Sequence, residues 1–270
     1  APAALAAGPP PAPAAAAGAP RARPKPAPVV RAATGDTVLP LNNMRRRTGE
    51  HMVRSKATSP HAVTIVEVDY ENVERVRRRH KEAWRQEEGS SLTYLPFIAR
   101  AVIDALRDFP AINATVGDGE LLLHNEVHLG IAVDLDFEGL LAPVVHGADG
   151  MRLRALARSF TDLADRARTK QLSADDISGG TFTITNNGTF GPAIVIPIIN
   201  QPQVAILSTD GISRKPVVVT AADGTEAIAI HSVGMLTLAW DHRAFDGAYS
   251  ASFLGTVKDL LETRDWEAEL

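Results

Sequence analysis

Nine of the chain's 18 prolines fall within its first 28 residues. The same stretch holds 13 Ala and 2 Gly, with only Leu5, Arg21, Arg23 and Lys25 besides and no acidic residue. Proline fixes φ and removes a backbone donor, so neither helix nor sheet propagates through such a tract. Its side chains bury too little apolar surface to offset the entropy of ordering, which predicts an extended, disordered Ala/Pro-rich linker over residues 1–28. The prolines also interrupt every apolar run that a signal peptide would need. Any fold must therefore be built downstream, from a transition segment over 29–40 and a folded domain over 41–270.

Composition narrows what that domain does. A net charge of −4 and an aromatic content of 5% argue against nucleic acid as a partner, which asks for a basic field and stacking surfaces. No stretch reaches the roughly 18 uninterrupted apolar residues of a membrane span. Cysteine is absent, which removes disulfides, thiolate metal sites and a cysteine nucleophile, and fits a cytoplasmic protein.

From about residue 41 helical and strand signals alternate. Asn42 to Lys56 is a basic helical segment, and the β-branched run Ala62 to Val68 is a strand. Tyr70 to Gln86 is a charged surface helix. Ser91 is placed to cap the next helix, in which Leu95, Ile98, Val102 and Leu106 fall at helical spacing until Pro110. Strands are expected at Leu121–Leu123, Val127–Val133 and Leu140–Val145, then an amphipathic helix over Arg152–Thr169. A strand follows at Thr181–Thr185, with others at Gln203–Leu207, Val217–Val219, Ala227–His231 and Gly234–Trp240, and a closing helix from about Ala248. With no internal repeat, the pattern is one α/β domain whose mixed sheet is covered by helices.

Asp241 to Gly247 (DHRAFDG) lies between the last strand and the last helix and contains His-x-x-x-Asp-Gly. A histidine held on such a connection suits a general base, because its ordinary pKa lies near 6.5. A free thiol titrates near 8.5, so a base that takes its proton during attack accelerates thioester exchange. Asp246 either touches His242 or braces the loop through another partner, and a structural histidine beside an N-capping Asp reads the residues equally well. His51, His61, His80, His124, His128, His146 and His231 show no paired metal-ligand spacing. Gly188 and Gly191 let backbone approach a ligand or simply shape turns.

The DHRAFDG segment resembles the signature of the dihydrolipoamide acyltransferase and chloramphenicol acetyltransferase superfamily. So, in order, do Met52–His61 (MVRSKATSPH), Leu92–Ala101 (LTYLPFIARA), His128–Val145 (HLGIAVDLDFEGLLAPVV), Gly179–Gly191 (GGTFTITNNGTFG) and Ile196–Leu207 (IPIINQPQVAIL). The likeness runs over about residues 40–265, and the Ala/Pro tether favours the lipoamide branch. It implies a chloramphenicol acetyltransferase-like fold, trimeric, acting without an acyl-enzyme. Coenzyme A as substrate and a lipoyl group carried on a separate domain would meet at His242, the general base. Thr185 of a neighbouring subunit would stabilise the oxyanion, which places the sites at homotrimer interfaces. Asp246 occupies the motif's acidic position, braced in relatives by an arginine, for which Arg77 is the best match. Asn187 and Gly188 would contact coenzyme A, and no metal is implied.

The partners implied are the lipoyl domain and the dehydrogenase and dihydrolipoamide dehydrogenase components of a 2-oxo acid dehydrogenase complex. Acetyl is the favoured acyl group, with succinyl and branched-chain groups as alternatives. A small-molecule acyltransferase of the same fold and a non-catalytic scaffold core are the rival readings. Relatives build larger shells through an apolar C-terminus, whereas Glu267 and Glu269 stand beside Leu270 here. That difference favours a free trimer, because burying unpaired carboxylates is costly.

Overall fold

The computed structural model describes residues 31–270, and the linker expected over 1–28 lies outside the described residues. Residues Leu41–Leu270 form one compact unit. The short piece ahead of it is exposed and holds a local turn in which the Ala33 amide donates to Asp36 Oδ2 at 2.6 Å. Among the described residues no helix is long and apolar enough to cross a membrane.

The unit begins with helix α1 (Asn43–Thr58), capped by the Asn42 side chain on the Arg45 amide. Strand β1 (His61–Asp69) and helix α2 (Glu71–Glu88) follow, the latter ended by Gly89 in a left-handed conformation. Helix α3 (Leu95–Asp108) comes next and is buried along most of its length. Ser91 does not cap it. The N-cap position belongs to Tyr94, with no side-chain cap bond, because Leu92 is 2% exposed and anchors the approach to the core instead.

A small hairpin, β2 (Ala114–Val116) with β3 (Leu121–Leu123), stands apart from the main sheet. The main sheet gathers β4 (Leu129–Asp134), β5 (Leu140–Leu141), β6 (Val144–Val145), β7 (Phe182–Asn186), β8 (Ala205–Thr209), β9 (Ser213–Thr220) and β10 (Glu226–Asp241) with β1. Its path is β1-β10-β8-β7-β4-β5, with β6 on β4 and β9 on β10. The centre, β4-β7-β8, is parallel, and the flanks are antiparallel. Helix α4 (Leu153–Arg168) supplies the connection into β7, and α5 (Gly247–Thr263) closes the chain.

This is the mixed α/β sheet with helices that the sequence predicts. One difference is instructive. The two strands expected at Ala227–His231 and Gly234–Trp240 are a single β10 that changes neighbours, pairing with β9 up to Val233 and with β1 and β8 beyond. Gly234 does not break it. A Cβ there would stand 2.8 Å from Ile212 Cγ1, so the glycine permits close approach.

Side chains alternate across a strand, and the sheet uses its two faces differently. One face carries Leu129, Phe182, Ile184, Leu207, Leu236 and Leu238 into a single core with Phe97, Phe253 and Trp266. The other carries a much smaller buried cluster, Ile199, Ile206 and Ala239, and next to it the sheet opens into a cleft.

Candidate active site

The cleft has a volume of about 630 Å³. Thr183, Thr185 and Ile206 form part of its floor, Arg47 and His51 of α1 stand on one wall, and Pro197 and Asn200 on another. Thr185 faces it because Phe182 and Ile184 are taken by the core, which leaves the alternate residues of β7 on the opposite side. Asn187 lines the same cleft. Gly188 does not. It borders a separate cavity of about 250 Å³ together with Arg77, Tyr94 and Asp210. A Cβ on Gly188 would sit 3.1 Å from the Asp210 carbonyl oxygen, so its small size serves the packing of two loops.

His242 leaves the end of β10, its amide donating to the Pro60 carbonyl at 3.1 Å. Its ring lies against Trp240 with centroids 4.8 Å apart, and Trp240 in turn stacks on Phe245 at 5.1 Å. The imidazole is half exposed. Its Nδ1 lies 3.7 Å from Asp246 Oδ1, outside hydrogen-bond reach but close enough for attraction. Asp246 occupies the N-cap position of α5 without a side-chain cap bond and is 88% exposed.

The bracing expected from Arg77 takes a different form. Arg77 ion-pairs with Glu74 one turn earlier on α2, donates Nε to the Leu92 carbonyl at 2.9 Å and lies over the Tyr94 ring at 3.9 Å. Those partners are local to α2 and its exit, so within the chain Arg77 does not brace Asp246. The loop's carboxylate–guanidinium brace is Asp241 with Arg243, two residues apart, bonded at 3.0 Å and 2.6 Å. Asp241 is 1% exposed. Burial pushes its carboxyl up, but hydrogen bonds from Arg243 and Ser59 more than offset this and hold it below the usual carboxylate range.

Within one chain His242 and Thr185 are far apart. Thr185 is level with Ser208 on β8, and Ser208 with Thr237 on β10, and His242 lies five residues past Thr237. At about 3.3 Å per residue and about 4.8 Å per strand, their backbones are separated by roughly 19 Å.

Sequence reasoning passed over Arg47 and His51 as cleft residues. The signal was there: on a helix, positions four apart share a face. Arg47 and His51 are so spaced, and Thr48 and Met52, which also line the cleft, repeat the spacing one residue on.

A family model described as "2-oxoacid dehydrogenases acyltransferase (catalytic domain)" matches residues 33–268. The chain is 40% identical over 242 residues to the dihydrolipoyllysine-residue acetyltransferase component of the pyruvate dehydrogenase complex of Corynebacterium glutamicum, covering 89% of this chain and 36% of that protein. It is 46% identical over 206 residues to the component of the same name from Mycobacterium tuberculosis, covering 76% and 37%. The chain thus spans little more than a third of the length of these relatives. Among solved structures, the dihydrolipoamide acetyltransferase of Azotobacter vinelandii superposes with a TM-score of 0.80 at 31% identity, covering 87% of this chain and 97% of that one. That structure belongs to a study of the roles of a serine, a histidine and an asparagine in its catalytic mechanism, the asparagine four positions after the histidine.

Proposed function

The chain belongs to the 2-oxoacid dehydrogenase acyltransferase family, and from that premise we propose that it moves an acyl group, acetyl first, between the thiols of dihydrolipoyl and coenzyme A. The observation that carries the mechanism is the roughly 19 Å between His242 and Thr185, which two copies of the chain remove by each lending one residue to a common site. His242 lies on an exposed loop and Thr185 in an open cleft, so each is accessible to a neighbour. A homotrimer closes such a heterologous contact.

In that site the attraction of Asp246 favours the proton on Nδ1 of His242, leaving the Nε2 lone pair to take the proton of the attacking thiol. The new carbon–sulfur bond forms, and the carbonyl oxygen becomes an oxyanion that the hydroxyl of the neighbour's Thr185 stabilises by donation. Collapse breaks the original carbon–sulfur bond, and Nε2 returns its proton to the departing thiolate. Asn187 contributes to the cleft in which coenzyme A binds. The histidine and the residue four positions on correspond in spacing to the pair studied in the Azotobacter vinelandii enzyme.

The lipoyl group arrives on a separate domain, and the dehydrogenase and dihydrolipoamide dehydrogenase components are the partners of such a core, in the cytoplasm. The acetyl reading is supported by the names of the relatives at 40% and 46% identity. A free trimer is favoured because Leu270, the apolar residue that would have to dock into a neighbouring trimer, is already engaged by its own chain. Glu267 pairs with Arg79 and His80, Glu269 reaches Arg264 at 3.4 Å, and Leu270 packs against the core.

The test is acetyl transfer from acetyl-coenzyme A to dihydrolipoamide by the purified chain, with light scattering to read its mass. His242→Ala alone should lower turnover by about 100-fold or more, in a species of about three chain masses. Mixing His242→Ala with Thr185→Ala chains should restore part of the activity, since some interfaces then receive an intact residue from each partner. No recovery after verified subunit exchange would refute the shared site.

A further inference from the structure

Between α1 and β1 the chain makes a short turn, Ser59-Pro60-His61, that the mechanism above does not use. Pro60 cannot extend the helix, and the Ser59 amide closes it on the Ser55 carbonyl. The turn is bonded to two parts of the molecule at once. Toward the His242 loop, the Pro60 carbonyl accepts the His242 amide at 3.1 Å, and the Ser59 hydroxyl helps to hold the Asp241 carboxyl below its usual range. Toward the cleft, His61 Nε2 accepts the Ile199 amide at 3.1 Å, and Ser59 Oγ accepts from Gln201 Nε2 at 2.6 Å.

His61 has no freedom left for chemistry. Its Nδ1 lies 2.8 Å from the Ser59 carbonyl, which can only accept, and its Nε2 meets an amide that can only donate. Nδ1 is therefore the donor and Nε2 the acceptor, and the ring acts as a strut. One helical turn earlier, Ser55 Oγ donates to the Ile199 carbonyl at 2.6 Å. Ser55, Ser59, Ile199 and Asp241 are all at most 4% exposed, so water does not replace these bonds if one is lost. Segment 197–200, held from both sides, forms the wall beside Thr185.

We propose that the Ser59-Pro60-His61 turn is a positioning element shared by two active sites of one assembly. This rests on the reading that His242 and Thr185 of one chain serve different interfaces. One face of the turn then sets the catalytic histidine of one site, and the other sets the cleft wall of the next. Displacing it perturbs both sites, through residues that touch neither substrate.

Mixed assemblies separate the two effects. In a mixture of Thr185→Ala with His242→Ala chains, the first supplies only the histidine and the second only the cleft. Adding His61→Ala to the first chain should reduce the recovered activity about tenfold through kcat, as expected for a displaced base. Adding it to the second should reduce kcat/KM by about the same factor, mainly through a higher KM for coenzyme A. His61→Gln, whose amide oxygen can still accept from the Ile199 amide, should restore the second mixture better than His61→Ala. If His61→Ala chains do not assemble, Ser59→Ala, which removes only the hydroxyl that Gln201 bonds and that lowers the Asp241 carboxyl, should give the same double loss. A loss in one mixture alone, or in neither, with trimers intact by light scattering, overturns the shared role. A parent mixture that recovers nothing overturns the shared site, and this proposal with it.

Discussion

Along β7, Phe182 and Ile184 are sealed in the core, while Thr185, a single residue further on, looks into a cleft. The two sets belong to one strand, share its hydrogen bonds to β4 and β8, and differ only in the side of the pleat they occupy. With the proposed site on the open side, this sheet keeps stability and chemistry on opposite faces, at a spacing of one residue. A substitution should therefore report which face it touches by whether it moves stability or turnover.

The sharpest break of that comparison is Phe182→Ala. The ring is fully buried against Phe253, and its removal should cost about 3–5 kcal/mol of unfolding free energy. Urea titration measures it, and a loss below about 1 kcal/mol would mean that the core face is not sealed. Next comes Thr185→Ala, which should cost about 2.7–4 kcal/mol in the transition state. Its melting temperature and coenzyme A affinity should stay near the parent values. A variant that loses affinity alone would move Thr185 from catalysis to binding.

Asp241 tests whether the His242 loop obeys the same division. Its carboxyl titrates lower in the folded chain than unfolded, so it stabilises the fold above the unfolded value of about 3.9. That contribution is lost as pH falls through the lower folded value. Asp241→Asn should cost about 1.5–3 kcal/mol at pH 7 and flatten the decline of stability below about pH 4. Parallel acid-unfolding curves for the two proteins would show that the Arg243 and Ser59 bonds contribute nothing. The smallest effect belongs to Asp246→Asn. The carboxylate is exposed and only near His242, so turnover should fall less than about tenfold, far less than for His242→Ala.

The strands of the sheet and their two faces were legible, because the alternation Phe-Thr-Ile-Thr at 182–185 is a period-two pattern with unlike faces. The His242 loop was legible as a motif. What escaped was decided by contacts distant in sequence. β2 is three residues long, too short to carry a periodicity. The continuity of β10 through Ser232 and Gly234 depends on Ile212 lying against that glycine. The local partners of Arg77 escaped because it stands in a run of three arginines, and its choice of Glu74 and Tyr94 is made by packing. His61 looked inert by spacing. Its significance lies in Ile199, 138 positions away.

The packing of His242 against Trp240 has an optical consequence. The indole is 2% exposed, so its emission is shielded from solvent quenchers while its face meets the imidazole at a centroid distance of 4.8 Å. A substitution of His242, or a movement of its ring, should therefore change the emission of Trp240, and the protein carries its own reporter of where that ring lies.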